Sequence, residues 1–216
     1  MGSVIKLEWQ KWALNGATIE EFLEFLKGFE SLAFKRGRWQ RARLAGMMDY
    51  IRMDFGPEFG KQYSVPMFLE EMRLLPQTYP SLQQAGFFVG GFNWFVDWLV
   101  MPIGLVALKI SPEGAMRPVG KLMGWGLKTF SKPPYGSMLK LEARGAKNGQ
   151  SKAVDVTLFH KDGYQLTAIP VAACLLQYLD GSIRKPGLWT QANLVDPMRL
   201  MSDMQRMGVE IHVQER

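Results

Sequence analysis

Apolar residues first fall into a clear period after Thr18. Thr18 is placed to cap a helix, Glu21 to return the capping-box bond, and Phe22, Phe25, Leu26 and Phe29 follow at helical spacing, which predicts a helix over about residues 18–30. From residue 44 the period shortens to two. Tyr50, Arg52 and Asp54 alternate with Ile51, Met53 and Phe55, and Gly56-Pro57-Glu58-Phe59-Gly60 then turns the chain into Gln62-Tyr63-Ser64-Val65. Two strands around a Gly/Pro loop fit that pattern. Gln84 to Phe92 reads as another short strand, with glycines where something approaches closely, and Trp94 to Ile110 as a mostly apolar helix broken at Pro102. Ser111-Pro112-Glu113 starts a further helix, running through Val119, Leu122, Met123 and Leu127.

The strongest local pattern lies between Met138 and His160. Leu139, Leu141 and Ala143 alternate with Lys140, Glu142 and Arg144, Asn148-Gly149 supplies a turn, and Ala153, Val154, Val156, Leu158 and Phe159 build the return strand. An antiparallel hairpin with one buried face is expected. A second turn at Asp162-Gly163 leads into a helix from about Tyr164 to Leu179, closed by Gly181. A last helix, from Asp196-Pro197 to Met207, ends at Gly208 and feeds a final strand from Val209 to Val213. The order predicts an α+β fold, a mixed and mostly antiparallel sheet packed against helices, and no repeat or low-complexity linker marks a second domain.

Composition narrows the chemistry. The 216 residues, 47% hydrophobic and 21% charged, exclude disordered, collagen-like and disulfide-scaffold classes. One cysteine, Cys174, and two histidines leave little stock for a transition-metal site, so no metal is expected. The net charge of +6 invites a nucleic-acid reading, but the cations cluster only at Lys35, Arg36, Arg38, Arg41 and Arg43 around Trp39. A solvated face, or a contact to an acidic partner or a cofactor phosphate, accounts for that stretch, and no nucleic-acid partner is expected. The N-terminal residues lack the basic and apolar regions of a secretory signal, and the apolar run Trp98 to Leu108 is shorter than the roughly 20 residues that a bilayer span needs. A cytoplasmic chain without a membrane span is the expectation. The same run reads as a buried helix or as a surface that docks on a partner.

No G-x-G-x-x-G follows a strand, and Gly120, Gly124 and Gly126 fall inside a helical pattern with the wrong spacing. Walker, G-x-S-x-G and H-E-x-x-H motifs are absent too. The candidate residues are therefore individual ones. His160, at a strand end, suits an acid or base facing a cleft, or a cap on a backbone carbonyl. Asp162 serves the Asp-Gly turn or meets a substrate ammonium. Tyr164 and Thr167 stand on the first turn of a helix, whose free N–H groups suit an anion or a simple cap. Asn93 and Asp97 are polar residues in an apolar run, four apart on one helical face, and form either a structural tie or a pocket lining. Arg144 is a candidate carboxylate fork or a solvated strand arginine.

One longer order of residues carries a resemblance. The hairpin Leu141-x-Ala143-x-Gly145-x-x-x-Gly149 is followed by His160-Lys161-Asp162-Gly163-Tyr164, then Thr167-Ala168 opening an alanine-rich helix. Lys185-Pro186-Gly187-Leu188-Trp189-Thr190 and Met207-Gly208-Val209 come after it. This resembles the end of the saccharopine dehydrogenase-like oxidoreductases, whose second domain commonly closes with a D-G-Y-x-x-T-A helix, a Gly-Val loop and a last helix ending in Gly-Val or Gly-Ile. Phe55 to Gly60, Pro66, Glu70-Glu71 and Phe92 to Asp97 are similar to the middle of that family, so the likeness runs from about residue 40 on.

The resemblance implies the second, substrate-binding and dimerisation domain of an enzyme that transfers hydride at a carbon–nitrogen bond of an amino-acid-like compound. It also implies a homodimer. NAD(P) would be held by an N-terminal Rossmann domain in cis, and none by residues 1–216, which would form a single C-terminal domain, inactive alone. Such a nucleotide-binding domain takes roughly 100–150 residues, more than these can hold beside the module already read. The expectation is a chain cut at the domain junction, with Met1-Gly2-Ser3 a cloning remnant. Hydride transfer asks little of side chains beyond orientation and proton handling, so the lack of a catalytic motif does not oppose this reading. The alternative is a non-enzymatic assembly module that keeps the fold and uses the apolar segment 94–110 as its surface.

Overall fold

The computed structural model describes residues 2–6, 19, 21, 23, 24, 30–43 and 49–216. Its longest feature is the expected hairpin. Strand β8 (Gly136–Lys147) pairs antiparallel with β9 (Gln150–His160), Lys147 standing opposite Gln150 across Asn148-Gly149. Both turn residues have positive φ, 55° and 76°. A two-residue turn of that hand matches the twist of its strands, which is why Asn-Gly stands there. Strand β10 (Glu210–Glu215) adds antiparallel to the other side of β9.

Alternation along these strands sorts their side chains onto two faces. Leu139, Leu158 and Ile211 meet helices α3 (Gly163–Leu179) and α4 (Pro197–Arg206), packing with Leu166, Ile169, Ala173 and Met204. Met138 and Phe159 point the other way, against Met53, Phe55 and Phe59. The hairpin thus has both faces covered near His160, not one, whereas β8 from Leu141 to Ala146 is exposed.

The rest of the seven-stranded sheet comes from distant parts of the chain, in the order β10-β9-β8-β1-β7-β5-β4. Here β1 is Gly2–Lys6, β4 Ile51–Asp54, β5 Lys61–Met67 and β7 Phe87–Gly90. The two strands expected around the Gly/Pro loop are β4 and β5, with Gly56–Phe59 forming a single helical turn between them. A smaller sheet holds β2 (Leu32–Lys35), β3 (Arg38–Arg41) and β6 (Gln84–Ala85) in the order β3-β2-β6. The α+β class and the mostly antiparallel sheet follow; among the described pairings β1 with β7 is parallel.

Several expectations change. Gly2 and Ser3 belong to the sheet: they pair with Phe88 and Val89 on one side and with Lys140 and Leu139 on the other. Gln84 to Phe92 is two strands in different sheets, divided at Gly86. The basic stretch is a hairpin turning at Arg36-Gly37, with Trp39 packed edge-on against Phe34 and Phe68. Arg41 lies 3.4 Å from Glu30, while Lys35 and Arg43 each lie 3.9 Å from Asp49, so part of that charge is answered locally. Ile19, Glu21, Leu23 and Glu24 are helical; the cap at Thr18 and the aromatics Phe22, Phe25 and Phe29 lie outside the described residues.

The apolar helix does not break at Pro102. Trp94 and Phe95 are helical, Val96–Val100 widen into a π-turn in which Met101 N–H reaches back to Val96 O, and α1 (Met101–Ile110) continues with Pro102 in its first turn. A proline has no N–H to give the preceding turn, and the widened turn accommodates it there. Helix α2 (Pro112–Phe130) returns antiparallel, and Ile19, Leu23, Phe95, Val96, Val100, Leu108, Val119, Met123 and Leu127 form the helical core.

A buried amide joins α3 to α4. Gln177 has no exposed surface; its Nε2 donates to Asp196 O over 3.2 Å and its Oε1 accepts from Asp196 N–H over 2.9 Å. Asp196 in turn caps α4 by accepting from Arg199 N–H. Gln177→Leu keeps the volume but strands both backbone groups, and should lower the unfolding free energy by about 2 kcal/mol, measured by urea denaturation.

Candidate functional site

Strand direction decides which loops meet. β9 runs antiparallel to β8, β8 antiparallel to β1, and β1 parallel to β7, so β1, β7 and β9 all point the same way. Gly90, Val4, Met138 and Phe159 stand in one row across the sheet. Gly91 to Asn93 and His160 to Asp162 therefore leave the same edge, three strand spacings or roughly 14 Å apart. The start of β5, antiparallel to β7, brings Gln62 and Tyr63 to that edge as well. The sequence candidates other than Arg144 thus cluster in two groups along one rim.

At the first group the chain forms an open cleft of about 400 Å³, lined by Gln62, Tyr63, Asn93, Trp94, Asp97, Trp98, Phe130 and Lys132, among others. That volume suits a small organic molecule. Its walls are aromatic: Trp98 packs edge-on against Tyr63 with ring centroids 5.3 Å apart, and Trp94 against Phe130 at 5.1 Å. Asn93 is the tie that shapes it. Its Oδ1 accepts from Val96 N–H over 3.0 Å, and its Nδ2 donates to Gly126 O over 3.3 Å and to Ser131 Oγ over 3.2 Å. One side chain thus starts the helix at Trp94, holds the end of α2, and faces the cleft.

Asp97 follows one helical turn later, its N–H donating to Asn93 O over 2.9 Å. Its half-buried carboxylate and the exposed ammonium of Lys132 line the same cleft. Sequence reading found Asn93 and Asp97 but not Lys132, Trp98, Tyr63 or Gln62. The available signal for Lys132 was its place in Ser-Lys-Pro-Pro, where α2 ends and the chain must turn into β8.

The second group is a helix start. Asp162 caps α3 by accepting from Gln165 N–H over 2.8 Å. Thr167 Oγ1 donates to Gly163 O over 3.0 Å, bonding back along its own helix. His160 Nδ1 lies 2.9 Å from Asp162 O and 3.0 Å from Asp162 N, so either tautomer is held by the same residue. Tyr164 is exposed beside them. The positive end of the helix already has a carboxylate on it, and an incoming anion would meet that charge.

Arg144 belongs to neither group. It stands opposite Ala153, seven residues along β8 from Ser137, which pairs with His160; that is roughly 23 Å at the strand rise. There it is exposed on the outer hairpin beside Glu142. The hydrogen bond from Lys140 first, then the charges of Lys140 and Arg144, hold the Glu142 carboxyl below the ordinary carboxylate range.

Among the described residues no group of three or more His, Cys, Asp or Glu is placed to hold a metal, and no helix is long and apolar enough to cross a membrane. The chain matches no family model and no curated protein.

Proposed function

We propose that this chain is the substrate-binding and dimerisation domain of a saccharopine dehydrogenase-like NAD(P)-dependent oxidoreductase of the cytoplasm, acting on an amino-acid-like compound. The observation that supports it most is the cleft at the rim of the sheet, where a carboxylate, Asp97, and an ammonium, Lys132, share an aromatic-walled cavity of about 400 Å³. A zwitterion offers the complementary pair, its ammonium to Asp97 and its carboxylate to Lys132. The nicotinamide would be presented to this rim by a nucleotide-binding domain outside these residues. Asn93 keeps the cleft open, while Asp162 and His160 fix the neighbouring corner.

The homodimer contact of this reading falls on the outer side of α3. That helix has no charged residue, and Tyr164, Val171, Leu175 and Tyr178 recur along its exposed side. The assembly-module alternative draws on other uncovered apolar residues, those of α1 and α2.

Calorimetric titration tests the proposal. Amino acids carrying an apolar or extended side chain should bind the chain saturably, and Asp97→Asn and Lys132→Met should each weaken that binding about tenfold, or 1.4 kcal/mol, without a change in melting temperature. NAD(P)H should show no micromolar site on these residues alone. Zwitterion binding indifferent to both substitutions, or a tight nicotinamide site within this chain, would remove the proposal.

A further inference from the structure

Helices α1 and α2 pair closely because small residues sit at their contact. A methyl on Gly104 would come within 2.9 Å of Val119 Cγ1, and one on Gly126 within 2.5 Å of the Phe95 ring. Val96, Val100, Gly104 and Leu108 fill one side of this contact, and Ala115, Val119, Met123 and Leu127 the other. Ile19 and Leu23 cover the pair from the side of Gly120 and Gly124: a methyl on Gly120 would lie 3.3 Å from both side chains, and one on Gly124 3.2 Å from Ile19.

The opposite side is uncovered and apolar. Leu99, Ile103, Val106 and Ile110 recur at intervals of four, three and four, one helical stripe, and all are exposed, Ile110 by 80%. Helical geometry turns Leu122 and Trp125 of α2, also exposed, to the same side of the antiparallel pair. Trp94 and Trp98 stand exposed at the end of the stripe that borders the cleft. By helical spacing Lys109 of α1 and Arg117, Lys121 and Lys128 of α2 fall on the flanks of this surface, and Lys132 follows the end of α2. Residues 94–132 hold these five cations and two acids, Asp97 and Glu113, a balance of +3 and half of the chain's net +6.

From this combination we infer that the α1–α2 face docks on an anionic lipid surface, lying in the interfacial plane. An apolar stripe with a basic border is the arrangement that inserts side chains to the depth of the acyl boundary while its cations meet lipid phosphates. Exposed tryptophans at the ends of such a stripe prefer the same interfacial depth. The charge decides the occupant. A second copy of this chain would bring the same cations to the face, like against like, whereas an anionic bilayer answers them. Docking there would also set the mouth of the cleft, through Trp94 and Trp98, beside the membrane surface.

Flotation of the intact chain with vesicles tests this. Phosphatidylcholine vesicles containing 30% phosphatidylserine should carry the protein at 0.1 M salt, and pure phosphatidylcholine vesicles should carry several-fold less. Raising the salt to 0.5 M should lower binding to the anionic vesicles in the same direction. Ile103→Glu and Ile110→Glu should each reduce that binding by at least about tenfold with an unchanged melting temperature, since both side chains are already in water. Arg117→Glu with Lys121→Glu should abolish the preference for the anionic lipid. No binding by the wild-type chain, or binding indifferent to Ile110→Glu, overturns the inference. So does a concentration-dependent dimer that Ile103→Glu converts to monomer without any vesicle binding, which would assign the face to a second copy.

Discussion

Gly90→Val should abolish folding, and even Gly90→Ala should cost more than about 3 kcal/mol, the upper end of ordinary overpacking. Gly90 lies in the central row of the seven-stranded sheet, paired with Ser64 on one side and Val4 on the other. A methyl at this position would drive into the Tyr63 carbonyl oxygen and lie 3.1 Å from Ser64 Cα. Those obstacles are backbone held by the β5–β7 ladder, so no rotamer change relieves the clash. The ladder itself must open. Against a total stability of about 5–15 kcal/mol, loss of a central pairing is enough to unfold the chain. Gly145 supplies the control. It stands in β8 of the same sheet with nothing within 4 Å of an added methyl, and Gly145→Ala should be neutral or slightly stabilising. Far-ultraviolet circular dichroism and urea melts read both. A well-folded Gly90→Ala with an unshifted midpoint would show that β5 and β7 are not locked as described.

The contrast between β8–β9 and β1 shows what local pattern can carry. Asn148-Gly149 fixes a two-residue turn and thereby the whole register from Lys147 against Gln150 to Ser137 against His160, so turn and partner are both visible within one stretch. Gly2–Lys6 has no such neighbour. Its partners are Phe88 to Gly90 and Gly136 to Lys140, and five residues beginning Gly-Ser offer no alternation long enough to announce a strand. The β2–β3 hairpin was obscured differently. Its cations invited a reading as a charged surface, although Phe34 and Trp39, directly opposite each other around Arg36-Gly37, are an aromatic cross-strand pair. For the site, Asn93 and Asp97 stood out because polar groups in an apolar run need partners. Lys132 did not, because it reaches the cleft from the end of another helix. At the Asp162 corner the same residues that make a turn also make a helix cap, and only the folded chain distinguishes them, by setting the carboxylate on Gln165 N–H.

Asn93 is where fold and site coincide, and Asn93→Ala should cost about 3 kcal/mol while also closing the cleft. The magnitude follows from three hydrogen bonds at roughly 1 kcal/mol each, with Val96 N–H left without its side-chain acceptor. Asn93→Asp separates the contributions. The carboxylate still accepts from Val96 N–H, and the Ser131 hydroxyl, which now accepts from Nδ2, must turn to donate instead; the second carboxylate oxygen is set against Gly126 O, where Nδ2 now donates. Helix initiation should survive in that variant while the grip on the end of α2 is lost. The expected order of melting temperatures is wild type, then Asp97→Asn close to it, with Asn93→Asp and Asn93→Ala well below. Zwitterion affinity should separate them differently, because Asp97→Asn removes a charge from an intact cleft and Asn93→Ala removes the cleft. A stable Asn93→Ala that binds ligand normally would show that α1 and α2 hold their ends together through the Gly104 and Gly126 contacts alone, and the tie through Asn93 would then be incidental to both stability and shape.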